Sequence, residues 1–341
     1  MKIVDGVLEN IDALLAWFSS SVKSSCEDYC ELETADRKST LVTRDGSLVS
    51  VISVEGVSAL IGNEEFSHIN DGLNQSLQTA FARPGSSLQV VFSYDREKSK
   101  DQISTMLGPA QSTAKRLQME LGDLFKERTG YISRYCAEES VYLVLWTRPV
   151  SLSGEQIKKS GKEKLKFIKE SKMRPALNAQ NIIAAIPDLR NSHESFLNSL
   201  SNDLSRLNIY SKVLDAHEAL YAIRLASEPE HTGKDWRGVL PGDRVPVREL
   251  RKSQKGDLSG LMWPRLAQQI FPRDGESVDI RTIQVGDNIY TPVFIELFPQ
   301  EVRTFTTLFN RVLATQVPWR MSYLIDSNGL STIRFKAVIA S

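Results

Sequence analysis

Residues 141–146 (Val-Tyr-Leu-Val-Leu-Trp) form an almost unbroken apolar run. A run this short is neither a membrane span nor one face of an amphipathic helix. It reads as a strand covered on both sides, so the chain has to build a sheet with other elements packed on each face. The sheet has neighbours in sequence. Around Asp45-Gly46, a preferred two-residue hairpin turn, Val42 lies on one side and Leu48, Val49, Val51, Ile52 and Val54 on the other. Phe66, Ile69, Leu73, Leu77, Ala80 and Phe81 then recur at helical spacing after Asn63, a plausible cap, and Arg83-Pro84-Gly85 stops the helix. Leu88, Val90, Phe92 and Tyr94 alternate as a strand, completing a β-β-α-β unit.

A second copy of this order lies near the other end. Residues 279–285 read as a strand and Gly286-Asp287-Asn288 as a turn. Residues 289–297 read as a second strand, 302–313 as a helix and Trp319–Ile325 as the closing strand. The two copies predict either a pseudo-symmetric pair of lobes or one sheet built from both ends of the chain. The predicted class is α+β: two β-β-α-β units with mixed or antiparallel sheets and helical insertions. At roughly 150 residues per domain, 341 residues suggest two domains, or one large domain with an insertion. The expected divisions are 1–38 (amphipathic helix and linker), 39–150 (first α/β lobe), 151–275 (helical, loop-rich insertion) and 276–341 (second unit).

Between these parts the patterns are helical. Ile103, Met106, Leu107, Ala110, Ala114, Leu117, Leu121, Leu124 and Phe125 predict a long helix, with Pro109 kinking or breaking it. Helices are expected over about 192–207 and 216–226, with a short strand at 209–214 between them. Residues 228–260 read as one long loop, of the kind that serves as a functional arm. At the start, Ile3, Val4, Val7, Leu8, Ile11, Leu14, Leu15 and Phe18 mark an amphipathic helix. Asp5, Glu9 and Asp12 interrupt any signal-peptide core and are the wrong charges for a lipid-surface helix.

Catalytic patterns are sparse. Gly154 to Gly161-Lys162-Glu163 has the wrong spacing and an acid where a P-loop carries Ser or Thr, and there is no G-x-G-x-x-G. His193-Glu194 and His217-Glu218 begin like zincin helices, but Leu197 and Tyr221 stand where the second histidine belongs. His68 and His231 complete the histidines. No G-x-S-x-G elbow exists, and Cys26, Cys30 and Cys136 have neither disulfide nor C-x-x-C arithmetic. No catalytic, cofactor-binding or metal-ligating residue is therefore predicted. No stretch reaches the roughly 18–20 apolar residues of a transmembrane helix.

Charge supplies one feature. Lys+Arg and Asp+Glu cancel at 42 each, which disfavours a chain-wide nucleic-acid field. Yet Lys158, Lys159, Lys162, Lys164, Lys166, Lys169, Lys172 and Arg174 face only Glu155, Glu163 and Glu170. A solvated helix face or a mobile linker is the plain explanation, and an electrostatic contact with an acidic partner, anionic lipid or nucleic acid is the functional one. Within this run, Lys158, Lys159, Lys162, Lys166 and Lys169 are the candidate docking residues. A weaker basic cluster, Arg244, Arg248, Arg251, Lys252 and Lys255, falls in the long loop.

Longer segments carry a resemblance: Leu41–Gly56, Val141–Pro149 and Phe294–Pro299, together with Ser19–Thr34 and Tyr131–Ala137. Over essentially its whole length the chain resembles the N-terminal region of VirB-class ATPases of type IV secretion systems. The likeness is closest to the DotO/IcmB type of Dot/Icm systems and its TraU-like conjugative relatives. The resemblance implies a peripheral protein on the cytoplasmic side of the bacterial inner membrane, assembled as a hexamer or a hexamer of dimers. It implies inner-membrane partners and contact with a second hexameric secretion ATPase. It also implies a RecA-like ATPase domain beyond Ser341 that holds ATP and Mg. The expected function is a non-catalytic assembly and membrane-docking domain that positions such a motor. The alternatives are a nucleic-acid-binding module of a conjugation machine, or an enzyme whose site the sequence does not expose.

Overall fold

The computed structural model describes residues 26–57, 59, 61–81, 84–170, 187–240, 243, 265–273, 275–279, 282–291, 311–312, 314 and 318–327. Strands β1 (Leu32–Asp36), β2 (Thr40–Thr43) and β3 (Leu48–Val57) open the chain as an antiparallel meander. The loop after β2 holds three residues rather than two. Thr43 N–H bonds Ser47 O at 3.0 Å, and Gly46 takes the left-handed position at φ 82°. Asp45 holds this loop by accepting from Ser47 N–H (3.0 Å), Ser47 Oγ (2.8 Å) and Thr43 Oγ1. Burial opposes ionisation of Asp45, but these donors outweigh it and keep its pKa below the ordinary carboxylate value.

Helix α1 (Asn63–Ala80) follows, then β4 (Ser86–Asp95), α2 (Ser99–Arg116), α3 (Gly122–Ile132) and β5 (Glu138–Thr147). Gly62, not Asn63, caps α1: Glu65 reaches back to Gly62 N–H at 3.0 Å. Helix α2 runs through Pro109, and the break comes later, at 117–121, where Gln118 has φ 56°. Helices α4 (Gly154–Glu170), α5 (Pro187–Arg206), α6 (Ala216–Ser227) and α7 (Leu266–Ile270) complete the set, with β6 (Ile209–Val213) between α5 and α6. An Asp215/Glu218 capping box starts α6.

The fold is α+β. Its main sheet is antiparallel, in the order β1-β2-β3-β5-β4 and then the strand Trp319–Asp326 (β10), with β6 beside the second half of β3. Strand β10 (Trp319–Asp326) pairs with β4 from Trp319↔Tyr94 to Asp326↔Ser87. Of the two expected arrangements, the sheet drawn from both ends of the chain is the one formed. Strands β7 (Glu276–Ser277), β8 (Ile283–Val285) and β9 (Asn288–Tyr290) make a separate small sheet, with Gly286 at φ 62° in its turn. The helix expected at 302–313 lies outside the described residues except 311 and 312, as do the amphipathic segment at the start and most of the arm after 243.

Strand β5 lies between β3 and β4, covered on both faces as its apolar run requires. Leu143 and Leu145 face a core with Ile52, Leu88, Phe196, Leu200 and Leu204, topped by α5 and α1. Tyr142, Val144 and Trp146 face the other core with Leu41, Val49, Val51, Leu220 and Leu266, topped by α6 and α7. Two readings change. Residues 32–36, expected as linker, are β1, clamped by Arg190 to Asp36 (2.6 and 3.0 Å) and Arg265 to Glu33 (2.7 Å). The region expected as an insertion supplies β6, α5 and α6, all in or against the main sheet. Periodicity shows that a helix has an apolar face, but not which sheet that face meets.

Candidate functional surfaces

The histidines that could suggest chemistry are engaged by their surroundings. His193 is buried where α5 crosses β3 and β5, between Ser50 Oγ (2.9 Å from Nε2) and Thr147 Oγ1 (2.8 Å from Nδ1). Ser50 donates its proton to Ser39 O at 2.7 Å, so toward the ring it accepts. The ring is therefore the neutral Nε2–H tautomer, with Nδ1 accepting from Thr147. Burial lowers its pKa to about 4, against a smaller upward pull from Asp36. A Ser–His pair sealed in the core has no room for substrate, so it holds α5 to the sheet.

His217 borders a cleft of about 390 Å³ lined by Arg37, Lys38, Asp215 and Asp243. Its Nδ1 donates to Gly238 O at 3.0 Å and its Nε2 lies 3.3 Å from Asp243, so both nitrogens face acceptors. Glu230, His231 and Asp287 bring three ligand-type atoms within 4.8 Å of one another at the surface. Arg273 Nη1 lies 2.9 Å from His231 Nε2, so a guanidinium already holds the place a cation would take. Deeper in, Arg224 on α6 donates to the carbonyls of Gln269 (2.7 Å) and Ile270 (2.9 Å) and pairs with Glu228 at 3.0 Å. It also stacks 5.6 Å from the Trp236 ring centroid. This buried cation ties α6 to the end of α7.

Two outward surfaces remain. In α4, Lys158, Lys162, Lys166 and Lys169 recur at i+4, i+8 and i+11, within one quadrant of the helix, and Lys159 flanks them. Lys158, Lys159, Lys162 and Lys166 are exposed, and Lys159 meets Glu163 at 3.9 Å. The Lys169 side chain lies outside the described residues. The structure thus brings the predicted docking residues onto a single helix.

The other surface is the α2–α3 hairpin, which the apolar spacing predicts as one long helix kinked or broken at Pro109. Ile103, Leu107, Gln111 and Ala114 in one arm and Leu121, Phe125, Thr129 and Ile132 in the other are buried or half-buried, and Ser99 Oγ donates to Ser133 O at 3.3 Å, so the helices run antiparallel. One step around each helix lies a second stripe: Met106, Ala110, Thr113 and Leu117 on and just beyond α2, and Leu124, Arg128, Tyr131 and Tyr135 on and just beyond α3. Both stripes are offset in the same sense from the packed positions, so in an antiparallel pair they share one face. Met106 is 75% exposed, Leu117 61%, Leu124 56% and Tyr131 61%. The signal was in the sequence: the apolar stripe is wider than a two-helix contact can bury.

No family model and no curated protein matches the chain. Among the described residues, no helix is long and apolar enough to cross a membrane.

Proposed function

We propose that the chain is a non-catalytic assembly domain of a type IV secretion ATPase of the DotO/IcmB–TraU type, peripheral on the cytoplasmic side of the inner membrane. The observation that carries the assembly reading is the α2–α3 hairpin, whose Met106–Leu117–Leu124–Tyr131 face is solvent-exposed. A cluster of exposed large apolar side chains of this kind marks a protein interface. The lysine face of α4 supports docking on an acidic surface. The secretion setting comes from the sequence resemblance.

The test is fractionation of the protein from cells carrying the complete secretion system. It is expected in the inner-membrane fraction with the system's components, and Leu117→Glu with Leu124→Glu should release it. ATP turnover by the purified chain, abolished by a substitution within these residues, would overturn the non-catalytic reading. A protein that never associates with itself or with the membrane components would overturn the assembly reading.

A further inference from the structure

The apolar hairpin face has a chemistry that specifies its partner. Arg116, Arg128 and Arg134 are exposed along it with Lys115 and Lys126 nearby, against the exposed acids Glu120 and Asp123 at the connecting turn and Glu127 on the second helix, so the hairpin's balance is basic. None of the three arginines forms an ion pair among the described residues. Because Arg128 lies within the stripe, pairing the same face of two copies would set like charges together. The complement is an amphipathic helix with an acidic flank. Residues 3–18 have that pattern: Val4, Leu8, Ile11 and Leu15 at helical spacing, Asp5, Glu9 and Asp12 along one side, and no Lys or Arg.

A copy's own segment does not reach. Cys26 precedes β1 at the end of the sheet where β3 begins, whereas the hairpin leaves the opposite end, after Asp95 and before Glu138. The length of β3 separates the two ends by about 30 Å, and four strand spacings between β1 and β4 add roughly 19 Å sideways. Residues 19–25 extend at most about 25 Å.

We infer that residues 3–18 of one copy dock as a helix on the Met106–Leu117–Leu124–Tyr131 face of a second copy's α2–α3 hairpin. The contact deepens the assembly reading and rests on it. It joins two different surfaces, so it is heterologous, and it closes a ring if its rotation permits.

The experiment uses two full-chain variants, Arg116→Glu/Arg128→Glu/Arg134→Glu and Asp5→Lys/Glu9→Lys/Asp12→Lys, followed by sedimentation over a concentration series. Wild type is expected to associate. Each variant alone should associate at least tenfold more weakly, because like charges then face each other. An equimolar mixture should recover association, since each segment meets an opposite hairpin. Met106→Ser with Leu124→Ser, which changes no charge, should also weaken association while the melting temperature stays near wild type. If wild type associates but neither charge set matters, or if the mixture is no tighter than its components, this contact is wrong and the assembly reading stands. If wild type stays monomeric, with and without the membrane components, both fail.

Discussion

His193 shows what one buried side chain does to the acid response of the protein. Its folded pKa, about 4, lies below the ordinary value of 6.5 because burial disfavours the charged ring. Between these values the unfolded chain takes up a proton that the folded chain refuses. Its contribution is therefore intact above about pH 6.5, declines as the pH falls and is lost below about pH 4, a total of about 3 kcal/mol. Urea titrations of wild type and His193→Gln from pH 7.5 to 4.5 should show a steeper loss in wild type; parallel pH profiles would refute this linkage. Arg224 and Glu228 provide a second residue-level test. Their side chains are 7% and 1% exposed. Glu228→Ala leaves a buried cation unpaired and is expected to cost about 3–5 kcal/mol. Arg224→Met with Glu228→Leu should cost clearly less than the two single changes summed, in a chemical-denaturation cycle.

At the scale of elements, helix α4 separates stability from docking. Its Lys159–Glu163 pair is exposed and contributes little. Changing Lys158, Lys159, Lys162 and Lys166 together to Glu should leave the melting temperature close to wild type, since surface changes stay within roughly half a kcal/mol each. Wild-type protein should co-sediment with anionic phospholipid vesicles and release as salt rises, and the reversed variant should not bind. Equal co-sedimentation of the two proteins would make the lysine face a solvated surface. The lysine spacing was readable without a structure, because like charges at i+4 need only a helix to share a face. The sequence marks Pro109 as a kink or a break, whereas α2 continues through it to Arg116 and the chain breaks only after that, at 117–121.

For the whole molecule, the pairing of β4 with β10 matters most, because it joins residues 86–95 to residues 319–326. Trp319 packs on Phe92 and Tyr94, with ring centroids 5.2 and 6.0 Å apart. Trp319→Ala is expected to cost about 2–4 kcal/mol, somewhat below a fully buried aromatic. Hydrogen exchange should report faster opening of β4 as well as β10, and acceleration confined to β10 would mean that the two strands are not energetically coupled.

The sequence by itself determined the α+β class, the buried strand at Val141–Trp146, the strand at Trp319–Ile325 and the lysine-bearing helix. These follow from alternation, helical spacing and turn residues, which act within a few positions of the chain. Only the tertiary structure decided that β10 belongs beside β4, that β6 and α5 are core rather than insertion, and that the α2–α3 stripe faces solvent. An apolar stripe records that a face is to be buried; whether the partner lies in the same chain depends on contacts between residues far apart in sequence.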